Sequence, residues 1–386
     1  MSHSIILPRL MEIGDGALQK LPDMMRALGC HRPIIITDKT MVTLGQAAKV
    51  ESLLQQKEIQ STVFDDTIPE PTDASISAGV NAISTGNYDC LIALGGGSVI
   101  DSAKAMAVLA GSGGEMRDFR FPRIVSETAL PLVAIPTTAG TGSEVTRFTI
   151  ITDAENDEKM LCVGPSFMPT AALVDAELTH TLPTRMTADT GIDALTHAIE
   201  SYVSRKGNAF SDYHAREAMR LIAPNLRRAC QDGSDIQARA DMMLGATLAG
   251  IAFSNASVAL VHGMSRPIGA LFHVPHGLSN AMLLPSVTAF SLPAAPERYA
   301  DCAKAMGVAD PQDDTDFACQ KLLDELHALN RDLDVPTPEG FGIDRTAFFT
   351  NMDTMAKQAM ASGSPANNPR LPSHEEMVDI YSQLWQ

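Results

Sequence analysis

The chain has 386 residues, 45% hydrophobic and 19% charged, which is ample for two domains with cores of their own. Lys and Arg total 29 against 46 Asp and Glu, a net charge of −17, and this excludes a nucleic acid or an anionic membrane bound along a broad basic face. Aromatic residues are 5% with a single tryptophan, Trp385, so an aromatic-lined sugar or base-stacking groove is not expected.

None of the six cysteines forms a C-x-x-C pair, which sets aside the usual cysteine zinc and iron–sulfur patterns and fits reduced thiols. The first residues lack the basic start and apolar core of a signal peptide, being broken by Pro8, Arg9 and Glu12. No apolar run approaches the ~20 residues that span a bilayer. The expectation is a soluble, cytoplasmic protein.

In chain order, residues 33–37 (PIIIT) read as a short buried strand, 41–55 as a helix, 62–64 as a strand, and 72–84 as a helix capped by Thr72 or Asp73. Residues 88–94 (YDCLIAL) read as another buried strand, followed at once by Gly95, Gly96 and Gly97 and a helix over 98–110. Residues 131–136 form a further strand, and 147–152 with 159–163 a hairpin added to the same sheet. This alternation predicts a parallel sheet with helices on both faces over residues 1–182. From residue 183 to 386 helical periodicity dominates, with helices over 186–204, 209–229, 313–328 and 373–385. Residues 234–271 read as two helices or as one kinked at Pro267. An α/β domain followed by an all-helical domain is the expected fold, with the crevice between them as the default ligand site.

Four stretches carry chemistry. Gly95-Gly96-Gly97-Ser98-Val99-Ile100-Asp101 joins a strand to a helix, where glycines let backbone N–H groups approach a phosphate and the helix dipole favours an anion. It is not a G-x-G-x-x-G fingerprint, and a tight turn that binds nothing has the same pattern. Asp38 follows the first strand of the sheet, where an acid can bond ribose hydroxyls and repel a 2′-phosphate, favouring NAD over NADP; a helix cap is the simpler reading. Residues 136–146 (PTTAGTGSEVT) offer many small donors beside a strand end, suited to a pyrophosphate or to a plain polar connector. Asp193 and His197 stand i, i+4 on one helix face and, with His262 and His276, supply three imidazoles and a carboxylate, a set suited to Fe(II) or Zn(II).

GGGSVID, PTTAGTGSEVT, TGIDALTHAIESYVS and VHGMSRPIGALFHVPHGLSNAMLLP together resemble the iron-containing (group III) alcohol dehydrogenase family, in order and over nearly the whole chain. The resemblance implies an N-terminal dinucleotide-binding domain and a helical metal-binding domain. It implies Asp193, His197, His262 and His276 as metal ligands, with Fe(II) first and Zn(II) as the alternative. Gly96, Gly97, Ser98, Thr137 and Thr138 would hold NAD, with Asp38 at the adenosine ribose and Asp101, Thr146, Phe148, Lys159 and Leu178 near the cofactor. A homodimer or higher homo-oligomer is the expected assembly.

One departure stands out. The family commonly carries a second histidine four residues after the ligand histidine, in H-G/A-M-A-H; here that position is Arg266. An arginine stays protonated and cannot act as a general base, but it binds carboxylate, sulfonate or phosphonate with two parallel hydrogen bonds. It can equally pair with a nearby acid. His276, His273 and Arg266 are therefore the candidate catalytic residues, with His273 the remaining imidazole for proton transfer. The expected reaction is reversible hydride transfer between a small primary alcohol and NAD, with an anionic aldehyde held by Arg266 as the alternative. A dehydroquinate-synthase-like lyase, a glycerol-dehydrogenase-like enzyme, a non-haem iron oxygenase and a non-enzymatic nucleotide-binding regulator are the competing readings.

Overall fold

The structure is a computed structural model and describes residues 2–155 and 158–385. The described chain divides into two compact units, Ser4–Thr181 and a second that begins at Leu182.

In the first unit eight strands occur among the described residues: β1 (Leu10–Ile13), β2 (Pro33–Ile36), β3 (Thr62–Phe64), β4 (Cys90–Gly95), β5 (Leu132–Pro136), β6 (Phe148–Asp153), β7 (Glu158–Val163) and β8 (Ala171–Val174). Six form one sheet in the order β1-β8-β5-β4-β2-β3, with every neighbouring pair parallel. Alternation sorts the side chains of its central strands. Ile34, Ile36, Leu91, Ala93, Leu132 and Ala134 pack on one face with Ile100, Met106 and Phe119. Ile35, Ile92, Leu94, Val133 and Ile135 pack on the other with Leu21, Met25, Val50 and Leu54. Both faces are covered, so these strands are apolar throughout instead of alternating with polar residues. The chain runs outward from β2 to β3, then returns past β2 to β4 and continues to β5. Strand order therefore reverses between β2 and β4, and ligands of open α/β sheets bind at the carboxyl ends beside such a reversal.

Three expectations are corrected here. The hairpin β6–β7 pairs antiparallel as a separate two-stranded sheet and does not extend the large one; residues 156 and 157 lie outside the described residues. The helix expected over 41–55 is two, Lys39–Thr43 and Gln46–Gln55, parted at Gly45, whose φ of 74° suits glycine. The four-residue strands β1 and β8 were not expected; each is too short to show a period.

In the second unit all regular structure among the described residues is helical. Helices Thr184–Val203, Ala209–Gln231 and Ile236–Ala256 pack closely because Gly191 and Gly245 leave room where a Cβ would meet Leu226 at 2.4 Å and Ile222 at 2.6 Å. The segment 234–271 is two helices, but the break is not at Pro267. Pro267 lies inside Leu260–Phe272, and the 104° bend falls after Ala256, where Ser257 takes a φ of 87°. Among the described residues no single helix is long and apolar enough to cross a membrane.

Candidate active site

In the first unit three expected residues stand directly past the ends of adjacent parallel strands: Asp38 after β2, Gly96 after β4 and Thr137 after β5. Gly96 is the N-cap of the helix Gly97–Ser112 and, having no side chain, cannot itself cap the first-turn amides. A Cβ on Gly97 would meet Thr141 at 2.7 Å, and one on Gly96 would meet Thr138 at 3.3 Å. The glycines thus let the 136–146 loop pack directly against the helix start, and Thr137 N ties that loop to Gly95 O at 3.1 Å, so that both form one small-residue cradle. A diphosphate suits such a cradle: donors, no bulk, and a helix N-terminus.

The remaining cofactor candidates are placed differently. Asp38 caps the helix Lys39–Thr43, accepting from Met41 N at 2.9 Å. Asp101 accepts from Ser143 Oγ at 2.6 Å and from Ile150 N at 3.0 Å, so its two oxygens tie the glycine helix to the following loop and to β6. Burial pushes the Asp101 carboxyl up, although Lys104, Ser143 and the Ile150 amide oppose this. Lys104, which the sequence reading passed over, is fully buried beneath this loop and donates to Thr146 Oγ1 at 3.0 Å and to Phe148 O at 2.8 Å. Burial pushes its pKa down to about 8 against the pull of Asp101 and Glu144. Lys159 pairs with Glu70 at 2.8 Å, and Leu178 packs in the core on one sheet face. Ser98 is partly buried in the first turn of the glycine helix.

In the second unit Asp193, His262 and His276 each bring a ligand atom within 4.8 Å of the others. Asp193 comes from Thr184–Val203, His262 from Leu260–Phe272, and His276 is the first residue of His276–Ser291. Asp193 Oδ1 lies 3.4 Å from His262 Nε2 and 3.7 Å from His276 Nε2. A tetrahedral ion with bonds of about 2.1 Å separates its ligands by about 3.4 Å, so these three atoms fit a divalent metal. Burial alone would raise the Asp193 carboxyl, but His197, His276 and His262 hold it well below the usual carboxylate range. His197 stands beside this group without entering it. Its ring is sandwiched between Phe253 and His262, with centroids 4.2 and 4.3 Å away, and its Nδ1 is 3.9 Å from Asp193.

Two residues of this centre escaped the sequence reading. Glu200, buried on the Asp193 helix, accepts His262 Nδ1–H at 2.6 Å and the backbone amides of Ala259 at 3.0 Å and Val261 at 2.6 Å. One carboxylate therefore holds the start of the His262 helix and turns the other ring nitrogen, Nε2, toward Asp193. Asn280, fully buried, donates from Nδ2 to Asp193 Oδ1 at 2.7 Å and lies 3.2 and 3.3 Å from Nε2 of His262 and His276. The one signal for them is spacing, which is weak: Glu200 follows Asp193 by seven residues and His197 by three, and Asn280 follows His276 by four. Of the other catalytic candidates, Arg266 bonds Ser364 Oγ at 3.3 Å. His273 is exposed and ends its helix in the left-handed conformation, φ 54°.

Comparison with known proteins decides between the competing readings. The model of the iron-containing alcohol dehydrogenases matches residues 8–176, and that of the C-terminal region of the Fe-containing alcohol dehydrogenase family matches 187–385. The chain belongs to the iron-containing alcohol dehydrogenase family. It is 35% identical over 383 residues to alcohol dehydrogenase 4 of Saccharomyces cerevisiae, covering 98% of each chain. It is 32% identical over 378 residues to the NAD-dependent methanol dehydrogenase of Bacillus methanolicus, again covering 98% of each. The crystal structure of a 1,3-propanediol oxidoreductase superposes with a TM-score of 0.95 at 33% identity, covering 100% of both chains. The six-stranded parallel α/β domain and the helical domain are those of this family, and the chain is an alcohol dehydrogenase of the iron type.

Proposed function

We propose that this iron-type dehydrogenase interconverts a small primary alcohol and its aldehyde with NAD(H), residues 1–182 binding the dinucleotide and 183–386 the metal. The observation that carries this reading is the convergence of Asp193, His262 and His276, each with a ligand atom within 4.8 Å of the others, in a chain of this family. When bound, a divalent ion supplies Lewis acidity at the substrate oxygen and NAD accepts the hydride.

The chain's own residues do the rest. Asp193, His262 and His276 would hold the ion, with His197 beside them completing the set. Glu200 keeps the His262 proton on Nδ1, which leaves Nε2 as a donor of its lone pair. Gly96, Gly97 and Ser98 offer amides to the cofactor diphosphate, with Thr137 and Thr138 alongside and Asp38 at the adenosine ribose. Asp101, Thr146 and Phe148 act from behind, joined through Lys104 and Ser143. Fe(II) is the first choice of ion, and a homodimer or larger assembly is the proposed state.

The test is NADH formation from ethanol, propan-1-ol and propane-1,2-diol by anaerobically purified, Fe(II)-loaded protein, with His262→Ala as the control. The expected result is turnover that falls by at least ~10³-fold in the variant together with its metal content. A variant that turns over alcohol like the parent overturns the assignment.

A further inference from the structure

Among the described residues Arg266 is a partly buried cation with no acid at ion-pair distance. It follows His262 by four residues on Leu260–Phe272 and so leaves the helix on the same face, one turn later. A guanidinium has five donors. Among the described residues this one makes a single hydrogen bond, from Nη1 to the neutral Ser364 Oγ at 3.3 Å, and its Nε is buried with no acceptor. The acid whose charge reaches it is Glu200, and that carboxylate is already committed to Ala259, Val261 and His262.

Most other arginines of the same unit are treated differently. Arg227 pairs with Glu325 and Asp332, Arg228 with Asp235, Arg298 with Asp212 and Arg370 with Glu376. Arg239, buried more deeply, also lacks an acid but is met by Thr187 Oγ1, Gly233 O and Leu182 O. Arg266 has neither an acid nor such a set of acceptors, a departure that costs stability. Costs of this kind persist where a ligand supplies the missing partner.

We propose that Arg266 is the subsite for an anionic group on the substrate, so that the aldehyde or alcohol turned over here is a short one carrying a carboxylate, sulfonate or phosphonate. The inference rests on the dehydrogenase reading above and narrows its substrate class. The spacing sets the size. Arg266 lies four residues, about 6 Å of rise, beyond His262. An oxyanion two or three bonds from the carbonyl carbon spans that distance. The planar fork of the guanidinium matches such an oxyanion with two parallel hydrogen bonds from its Nη1 and Nη2 edge, where the one bond among the described residues is to the neutral Ser364 Oγ.

The test measures kcat/KM with NADH for propanal against succinate semialdehyde, sulfoacetaldehyde and phosphonoacetaldehyde, in the parent, Arg266→Lys and Arg266→Met. The parent is expected to prefer at least one anionic aldehyde over propanal by ~30-fold or more. Arg266→Met is expected to lose roughly 10²-fold of that preference, mainly through KM, and Arg266→Lys, a point charge without the fork, to fall between. Methanesulfonate and propionate should compete with substrate in the parent and not in Arg266→Met. Thermal melting of Arg266→Met should match or exceed the parent, because an unpaired cation has been removed, and this separates lost binding from lost folding. Turnover of propanal with no anionic preference, or a preference that Arg266→Met leaves intact, overturns the proposal. No turnover of any aldehyde or alcohol overturns the dehydrogenase reading instead.

Discussion

The metal group depends on two residues that do not themselves converge with the three ligand atoms. Glu200 decides which nitrogen of His262 carries the proton, because its carboxylate sits 2.6 Å from Nδ1. Without it the ring has no fixed tautomer and the three-residue start of its helix loses its acceptor. Second partners of this kind are worth roughly 10–100-fold in metal affinity. Glu200→Gln should therefore weaken Fe(II) and Zn(II) by that factor in chelator competition, with helix content unchanged by circular dichroism. Asn280 works on the other side of the group. Its Nδ2 faces Asp193 Oδ1 while its Oδ1 is buried without a partner, so the amide is oriented by the ligand carboxylate and by nothing behind it. Asn280→Ala frees that carboxylate to rotate and should cost about 10-fold in the same assay. Unchanged affinity in either variant would show that the ligands hold themselves. The four ligand candidates were legible as an i, i+4 pair and two further histidines. These two supports were not, because Glu and Asn on a helix face are common residues whose partners lie on other helices.

At the scale of elements, the centre requires two helix starts to meet the middle of a third. Glu200 ties down one, the helix Leu260–Phe272. Gly277 admits the other: a Cβ there would lie 2.2 Å from Asp189 O and 3.3 Å from the Asp193 Cβ. The obstacle at 2.2 Å is backbone, which cannot turn aside as a side chain does. Gly277→Ala must therefore push His276–Ser291 away from Thr184–Val203, carrying His276 off Asp193. The expected loss is about 1–3 kcal/mol of stability, with a drop in bound metal that Gly207→Ala, at a loop position remote from the group, does not share. Equal metal content in the two variants would separate Gly277 from the site. The bend between Ile236–Ala256 and Leu260–Phe272 shows where sequence reading of elements fails. Pro267 is the visible breaker, yet the helix passes through it, while the turn at residues 257–259 carries neither Gly nor Pro. Its stability comes from afar, through Glu200 and through Asn367 Nδ2, which bonds Ser257 Oγ and Val258 O at 3.0 Å each. Such long-range ties leave no local pattern, whereas the apolar runs of β2, β4 and β5 and the glycines after β4 do.

For the molecule as a whole, the two-part fold was legible because short apolar strand runs alternate with helices up to about residue 180 and helical periodicity alone follows. What composition could not show is where charge is buried. Lys104 and Asp101 lie together inside the first unit, 3.8 Å apart, with the lysine fully buried and its pKa pushed down to about 8. An unfolded lysine titrates near 10.4. Between about pH 8 and 10.4 the folded chain therefore binds fewer protons at this site than the unfolded chain, so the site's contribution to stability rises with pH across that window and is flat above it. Below pH 8 the cost of burying the charged form is present in full, and it amounts to something on the order of 3 kcal/mol. Removing the lysine alone would strand a carboxylate, so the comparison is with the double variant Lys104→Met/Asp101→Asn, which leaves no ion behind. Cys162, pushed up to about 12 by burial and by Asp101, would respond to the Asp101 change as well, so both proteins are compared in a Cys162→Ala background. The difference in urea-unfolding free energy, parent minus double variant, should thus increase from pH 7.5 to 10.5. A difference that is constant would mean that Lys104 stays charged throughout the window, and one that falls would mean that folding raises its pKa instead of lowering it.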